Sequence, residues 1–554
     1  MGDALPIHQI AAQLGLSTND VEPIGWYKGK LAAGLSQRLP ERNPGKYIGV
    51  TAINPTPLGE GKTVIAIGLA MALARGGRKS IVTLRQPSQG PVFGVKGGGA
   101  GGGAASLVPA DEINLHFTGD IHAVTSAHNL LAAMLDNHVS RGRTPVINPS
   151  TMTWRRVIDL NDKGLAHVIT GLDNVPQAPL RETGFDLTAA SEIMAILALA
   201  DSLPDLRNRV GRIIVAETKT GEPVCANDIG ATGAMMALLR DAIRPNLVQT
   251  CEGTPAIVHA GPFANIAHGN SSVLADLTAV QLADFVVTES GFGSDCGAEK
   301  FFNIKCRSSG LRPNAEVVVC TVRALKYHCG KFPMRPGESI PEELLVENLE
   351  DLRTGSVNLQ AHLAALQNFG IPIVVALNRF PADTDREIEL VRQLSMDYGA
   401  NAFAVAESFK YGSKGTMELA QAVEKACEQP ASFDYLYPPN LPVVDKLETI
   451  VREVYGGDGI ELLPLAKRRI EQFERWGFKD LPVCIAKTQY SLSHDPKLLG
   501  RPRGFRLPIR DCRLAAGAGY LYALAGEIST LPGLPREPAA LRIDVKDDGT
   551  IVGI

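Results

Sequence analysis

The sequence predicts an α/β protein: a mostly parallel sheet covered by helices, with an α+β insertion and a smaller C-terminal α+β domain. Three observations carry this. Short β-branched runs such as Tyr47–Ala52, Ser80–Leu84, Phe285–Thr288 and Glu316–Thr321 are mostly apolar and do not alternate. Strands of that kind are covered on both faces, as in parallel sheets. Longer helical patterns separate them. A glycine-rich turn also sits between the first of these runs and an apolar helix over Thr63–Ala74.

The 554 residues exceed one ordinary core and imply about three or four domains. Two further strands are expected at Ala256–His259 and Ile371–Leu377. The stretch 150–245 reads differently. Arg212–Thr218 and Pro223–Ala226, joined by Thr220-Gly221-Glu222, form a hairpin pattern flanked by helices. Residues 1–149 and 246–434 are therefore expected to form one discontinuous α/β domain, with 150–245 inserted in it. Y-L-Y-P-P-N-L-P at 435–442 breaks any helix and marks a boundary before a C-terminal domain over 435–554.

Hydrophobic residues make up 45% and charged residues 21% of the chain, with a net charge of −4. That is a soluble, globular balance with no general attraction to nucleic acid or anionic membranes. The N-terminus lacks a signal-peptide pattern, and Pro6 stands where a myristoylation start wants Ser or Thr. No run is long enough to span a membrane. Nine scattered cysteines, none spaced C-x-x-C, argue against a disulfide framework or thiolate zinc site and fit a reducing cytoplasm.

The sharpest chemical signal is T-P-L-G-E-G-K-T at 56–63. Following a strand and opening a helix, it has the context of a P-loop. Glycines let backbone N–H groups close on phosphate oxygens, and the helix N-terminus adds partial positive charge. Thr56, Pro57, Leu58, Gly59, Glu60, Gly61, Lys62 and Thr63 would cradle the phosphates of ATP. Lys62 would reach the β- and γ-phosphates, and the Thr63 hydroxyl would ligate Mg²⁺. The match departs from consensus in starting with Thr56 in place of Gly. The competing interpretation is a proline–glycine turn before a core helix.

Arg85 lies just past a strand, at the rim where open α/β sheets bind ligands. A guanidinium there suits a carboxylate or acyl phosphate, though a rim arginine alone is more often a surface ion pair. Six of the seven residues 97–103 are glycine, which suits close approach of backbone to ligand or, failing that, a flexible linker. Asp120 and His122 are polar within the apolar run at 113–124. His116, His122 and His128 recur every six residues, which puts them on different faces and favours three hydrogen-bonded neutral rings over a metal site.

Together these segments resemble formate–tetrahydrofolate ligase. The blocks are T-A-I-N-P-T-P-L-G-E-G-K-T (51–63), G-P-V-F-G-V-K-G-G (90–98) and I-N-L-H-F-T-G-D-I-H-A-V (113–124). Next come G-T-P-A-I-V-H-A-G-P-F-A-N-I-A-H-G (253–269), G-F-G-S-D-C-G-A-E-K-F (291–301), N-R-F-P-A-D-T (378–384), A-K-T-Q-Y-S (486–491) and P-G-L-P (532–535). They run in family order over nearly the whole chain. The resemblance implies ATP-dependent ligation of formate to tetrahydrofolate through formyl phosphate, in a cytoplasmic homotetramer. It assigns Arg85 to formate and formyl phosphate, and Asp120 to the reacting centre as base or folate anchor. Phe292, Phe380 and Phe409 become the aromatic folate contacts, although each Phe alone would be read as core packing.

Several positions depart from the family. Gln86 stands where Glu is usual near a monovalent cation (K⁺ or NH₄⁺). Val64-Ile65-Ala66-Ile67 replaces a threonine-rich helix start. Ala104 and Ser126 replace tyrosines, and Phe409 replaces a stacking Trp. Two other functions follow from these changes: a paralogue that formylates a different acceptor, and a P-loop nucleotide-binding switch or inactive relative.

Overall fold

The computed structural model describes residues 4–57, 59–94, 98–172, 178–332, 334, 340–526 and 529–553. Leu58 of the glycine loop, and Lys96 and Gly97 of the glycine run, lie outside them. One twelve-stranded sheet dominates. Its strands are β1 (Val21–Pro23), β2 (Gly29–Leu31), β3 (Lys46–Ala52), β4 (Ser80–Leu84), β5 (Gly101–Gly102) and β6 (Ala105–Val108). They continue with β7 (Asn246–Thr250), β8 (Pro255–Val258), β9 (Phe285–Glu289), β10 (Ala315–Cys320), β11 (Ile373–Asn378) and β12 (Ala402–Ala406).

The order across the sheet is β1-β2-β7-β8-β4-β9-β3-β10-β11-β12, with the β5–β6 ribbon attached to β7 through β6. Every pair from β8 to β12 is parallel. The margin of β1, β2, β5, β6 and β7 is antiparallel. The parallel-dominated α/β sheet is thus as expected, and the antiparallel margin is an addition. Those marginal strands are short, and β7 carries buried Asn246 and Gln249, so no apolar run announced it.

Helix α1 (Lys62–Arg75) follows β3. Its Ala, Leu, Ile and Met residues are strong helix formers on the whole, and Gly76 and Gly77 end it, the latter at φ +87°. All residues from Ile65 to Leu73 are buried. They pack on one sheet face with Ile48, Val50, Val82, Val287 and Val317. The other face carries Tyr47, Ile81, Val286 and Val318 against Phe301 and Phe302. At about 1.5–3 kcal/mol per large buried side chain, this double cover fixes the strand order firmly.

Helix α2 (Asp120–Ser140) joins a second core made with residues of 193–243 and with Tyr520. A bulged antiparallel pair, Ile214–Glu217 with Pro223–Cys225, stands where the hairpin was expected. Past residue 442 the chain forms helices Val443–Ile450 and Pro464–Arg475. A three-stranded sheet of Val483–Ala486, Tyr520–Leu524 and Asp511–Ala515 accompanies them. Among the described residues, no helix is long and apolar enough to cross a membrane.

Candidate active site

Because β3, β4, β9, β10 and β11 run parallel, the loops that follow them emerge at one edge of the sheet. Chain connections from β3 run outward to β4 and β8, return to β9, then proceed to β10, β11 and β12 on the other side. The loops therefore diverge around β9 and β3, the place where open α/β sheets leave a crevice.

The loop after β3 turns through Gly59 at φ +72° and Gly61 at φ +78°, both left-handed. Glu60 points inward and is 3% exposed. Its carboxylate accepts from the Thr56 backbone N–H at 2.8 Å and the Thr56 hydroxyl at 3.0 Å, closing the loop on itself. Burial raises the Glu60 pKa, opposed by the charge of Lys62 and the Thr56 hydrogen bonds. The Asn378 side chain, at the end of β11, donates to the Glu60 carbonyl at 3.0 Å. A Cβ on Gly61 would lie 2.4 Å from that same Nδ2. Lys62 opens α1, and the Thr63 hydroxyl donates to Glu289 Oε2 at 3.0 Å. A hydroxyl and a carboxylate side by side beside the glycine loop are the hard oxygen donors Mg²⁺ prefers.

Glu289 ends β9, adjacent to β3, and its charge also supports the Arg85 guanidinium. Burial lowers the Arg85 pKa below the ordinary value. Arg85 Nη1 donates to the Pro262 carbonyl at 3.2 Å. A Cβ on Gly291 would come within 3.0 Å of Arg85 Nη2 and 2.6 Å of Ala264 Cβ, so glycine lets two loops close on the guanidinium. Two non-glycine residues near it occupy the left-handed region: Ala260 at φ +53° and Phe292 at φ +61°. Each costs of order 1–2 kcal/mol, and such strain gathers at ligand sites. Gln86 is 5% exposed. Its N–H donates to the Ala260 carbonyl at 2.6 Å, while its Oε1 has no hydrogen-bond partner among the described residues. The Asn270 Oδ1 is buried and unpartnered in the same way. Orphaned amide oxygens are suitable donors for a monovalent cation.

The three expected aromatics differ in setting. Phe292 is half-buried in the strained loop after β9. Phe380 is also half-buried, and the Arg323 guanidinium lies 3.6 Å from its ring centroid. Phe409 is 61% exposed. Its backbone carbonyl accepts from the Ala104 N–H at 2.8 Å, and its ring lies where a Cβ on Gly103 would approach to 2.9 Å. Gly102 and Gly103 thus serve as a bed for Phe409. Among the described residues the rings of Phe380 and Phe409 do not stack on each other.

Asp120 begins α2 and is 2% exposed. Lys30 Nζ lies 2.8 Å from it, and Asn246 Nδ2 donates at 2.7 Å. Its partners are thus Lys30, Asn246 and Thr118, none of which stood out in the sequence. His128 stacks on Trp154 at 4.1 Å and donates from Nε2 to the Arg155 carbonyl at 2.9 Å, and burial pulls its pKa down to about 3. His116 and His122 neighbour Gln89 and Ser126 respectively. No group of three or more metal-ligating side chains occurs among the described residues.

A buried polar network stands behind the loop. Asn54 Nδ2 donates to Asp295 Oδ1 at 3.1 Å, and Lys487 Nζ to Asp295 Oδ2 at 2.5 Å. His362 Nε2 accepts from the Asn54 N–H at 2.9 Å, so its proton sits on Nδ1 and is donated to Ser294 Oγ at 2.6 Å. Burial pushes the Asp295 carboxyl up, but Lys487, His362 and Asn54 more than offset this and leave it below the ordinary value. Glu289, Arg323 and His362 were not singled out in the sequence, while Asn378, Asn54, Ser294, Asp295 and Lys487 stood there only as members of family blocks, without a role. For Glu289 the available signal was a carboxylate at the end of a strand just before G-F-G.

The formate–tetrahydrofolate ligase family model matches residues 2–554. The chain is 55% identical over 551 residues to the formate–tetrahydrofolate ligase of Roseiflexus sp. (strain RS-1), covering 99% of this chain and 97% of that one. It is 51% identical over 552 residues to the one from Desulforamulus reducens, covering 100% and 97%. It is 49% identical over 560 residues to formate–tetrahydrofolate ligase 3 of Rubrobacter xylanophilus, covering 99% and 98%. With one family spanning the whole chain around this cluster of loops, the protein belongs to the formate–tetrahydrofolate ligases.

Proposed function

We propose that this enzyme joins formate to tetrahydrofolate through formyl phosphate, releasing ADP and phosphate and giving 10-formyltetrahydrofolate. The observation that carries the proposal is the contact of Thr63 with Glu289, whose charge also supports Arg85. It ties the phosphate loop to a guanidinium in one crevice.

Formate is a poor acyl donor because oxide is a very poor leaving group. Attack of a formate oxygen on the γ-phosphorus of ATP forms the O–P bond and releases ADP. The folate N10, a weakly nucleophilic arylamine, then attacks the formyl carbon. The C–O bond to phosphate breaks, and N10 loses a proton. Catalysis is largely positioning and charge neutralisation. In this reading Thr56, Pro57, Leu58, Gly59, Glu60 and Gly61 form the phosphate cradle, and Lys62 holds the β- and γ-phosphates. Arg85 holds formate and then formyl phosphate. Asp120, paired with Lys30, serves near the reacting centre. Phe292, Phe380 and Phe409 contact the folate. Thr63 and Glu289 would hold Mg²⁺, which supplies neutralising charge to the phosphates when bound. Gln86 Oε1 would contribute to a weakened K⁺ or NH₄⁺ site. The division into 1–149 with 246–434, 150–245, and 435–554 belongs to the same proposal, as do the cytoplasmic location and homotetramer.

The test is ADP release with formate, tetrahydrofolate, both or neither. Full turnover with both is expected. Response to formate with indifference to the folate would point to another acceptor, and indifference to both to a nucleotide switch. Lys62→Ala should lower kcat/KM about 100-fold or more. Unchanged turnover in that variant would end the proposal.

A further inference from the structure

Strand β10 lies between β3 and β11 in the sheet. The segment after β10 must therefore emerge between the glycine loop and the loop that carries Phe380. That segment opens helix α3 (Val322–Tyr327), and the Thr321 hydroxyl caps it by accepting from the Ala324 N–H at 3.0 Å. The cap fixes the direction in which Arg323 leaves the helix.

Arg323 reaches both neighbours. Its guanidinium carbon lies 3.6 Å from the Phe380 ring centroid, which is cation–π geometry. Its Nη2 lies 3.5 Å from the Gly59 carbonyl, a long contact on the glycine loop. The charges of Asp383 and Glu60 both support the guanidinium. Phe380 is itself held, since its N–H donates to Asp383 Oδ2 at 2.8 Å and its carbonyl accepts from the Asp383 N–H at 3.0 Å. One ring face is thus covered by Arg323.

We propose that Arg323 is a positioning residue that couples occupancy of the glycine loop to stacking of the pterin on the face of Phe380 opposite the guanidinium. This rests on the reading of Phe380 as a folate contact. A nucleotide that orders the backbone at Gly59 also orders the guanidinium, and through it the Phe380 ring. Folate then binds to a ring already fixed. Coupling of this kind is reciprocal, so folate must tighten nucleotide by the same factor. Losing a partly exposed cation–π contact corresponds to about 3- to 10-fold in affinity.

Dissociation constants for tetrahydrofolate are measured with and without the Mg²⁺ complex of a non-hydrolysable ATP analogue, and for the analogue with and without folate. In the wild type each ligand should tighten the other by about 3- to 10-fold. In Arg323→Met the ratio should fall to near one, with nucleotide affinity measured alone changing far less. Arg323→Lys, which keeps the charge but loses the planar stack, should give an intermediate ratio and serves where the Met variant unfolds. A merely structural role would weaken both ligands and leave the ratio unmoved. An absent ratio in the wild type, or a full ratio in both variants, overturns the proposal. Unchanged folate affinity in Phe380→Ala would remove the reading of Phe380 beneath it, a separately visible failure.

Discussion

Gly61 offers a sharp quantitative test of the glycine loop. An alanine there faces two obstacles. Its φ of +78° is left-handed, which costs a Cβ-bearing residue about 1–2 kcal/mol. Its Cβ would also lie 2.4 Å from Asn378 Nδ2, the donor that holds the Glu60 carbonyl at 3.0 Å. Relief requires Asn378 to swing away, and a buried pair left unmade costs a further 1–3 kcal/mol or so. Gly59 supplies the internal control: its φ is +72°, but among the described residues no atom beyond its chain neighbours lies within 4 Å of its notional Cβ. Gly59→Ala should therefore show only the backbone penalty. Gly61→Ala should lower stability by about 2–5 kcal/mol and raise the KM for ATP well above the Gly59→Ala value. In an Asn378→Ala background the extra penalty of Gly61→Ala should vanish, because the clashing amide is gone. Thermal unfolding midpoints and KM for ATP across the five proteins decide the matter. Equal effects of the two glycine substitutions, or additivity with Asn378→Ala, would refute the reasoning.

Gln86 and Glu299 each supply one more expectation. K⁺ should stimulate the wild type weakly and Gln86→Glu more strongly, since a carboxylate adds charge where Oε1 is buried without a hydrogen-bond partner among the described residues; equal responses of the two proteins would dismiss this account. Glu299 is fully buried, and burial raises its pKa from 4.5 to about 7. Between those values the folded protein holds a proton that the unfolded chain has lost, so this group's contribution to stability falls as pH rises through the window and levels off above it. Glu299→Gln keeps an acceptor for Asn303, which now donates to Oε1 at 2.9 Å, and removes the ionisation. Its advantage over wild type should grow by about 3 kcal/mol from about pH 5 to about pH 8. Parallel midpoint-versus-pH curves for the two proteins would count against it.

Elements whose patterns are local were legible. The path from β3 through the glycine loop into α1 follows from a continuous apolar strand, left-handed glycines and an Ala/Leu/Ile helix. The parallel strands β4, β9, β10 and β11 were visible for the same reason, to within two residues at each end. The marginal β1, β2 and β7 were not, because short strands of this kind carry polar residues and gain their order from neighbours. The cluster around Thr63 shows the deeper limit. Glu289 and Asn378 matter because β9 and β11 end at the same edge as β3, and strand order is a non-local property. Arg323 is invisible for the same reason: a single arginine after a strand has no meaning until the strands on either side are known. Phe380 and Phe409 were legible as motif residues, but their different exposure depends on Arg323 and on the glycine bed at 102–103.

The contact of Lys487 with Asp295 has a consequence for how the polypeptide can be divided. Severing the chain at the proline-rich 435–442 would strip the longer fragment of its ammonium group and strand an anion in a dry interior. Uncompensated buried charge of that kind costs about 3–5 kcal/mol, a large share of any protein's margin. The amino-terminal fragment made alone should therefore be a poor folder, and the two pieces should mature as partners, each supplying what the other cannot bury by itself.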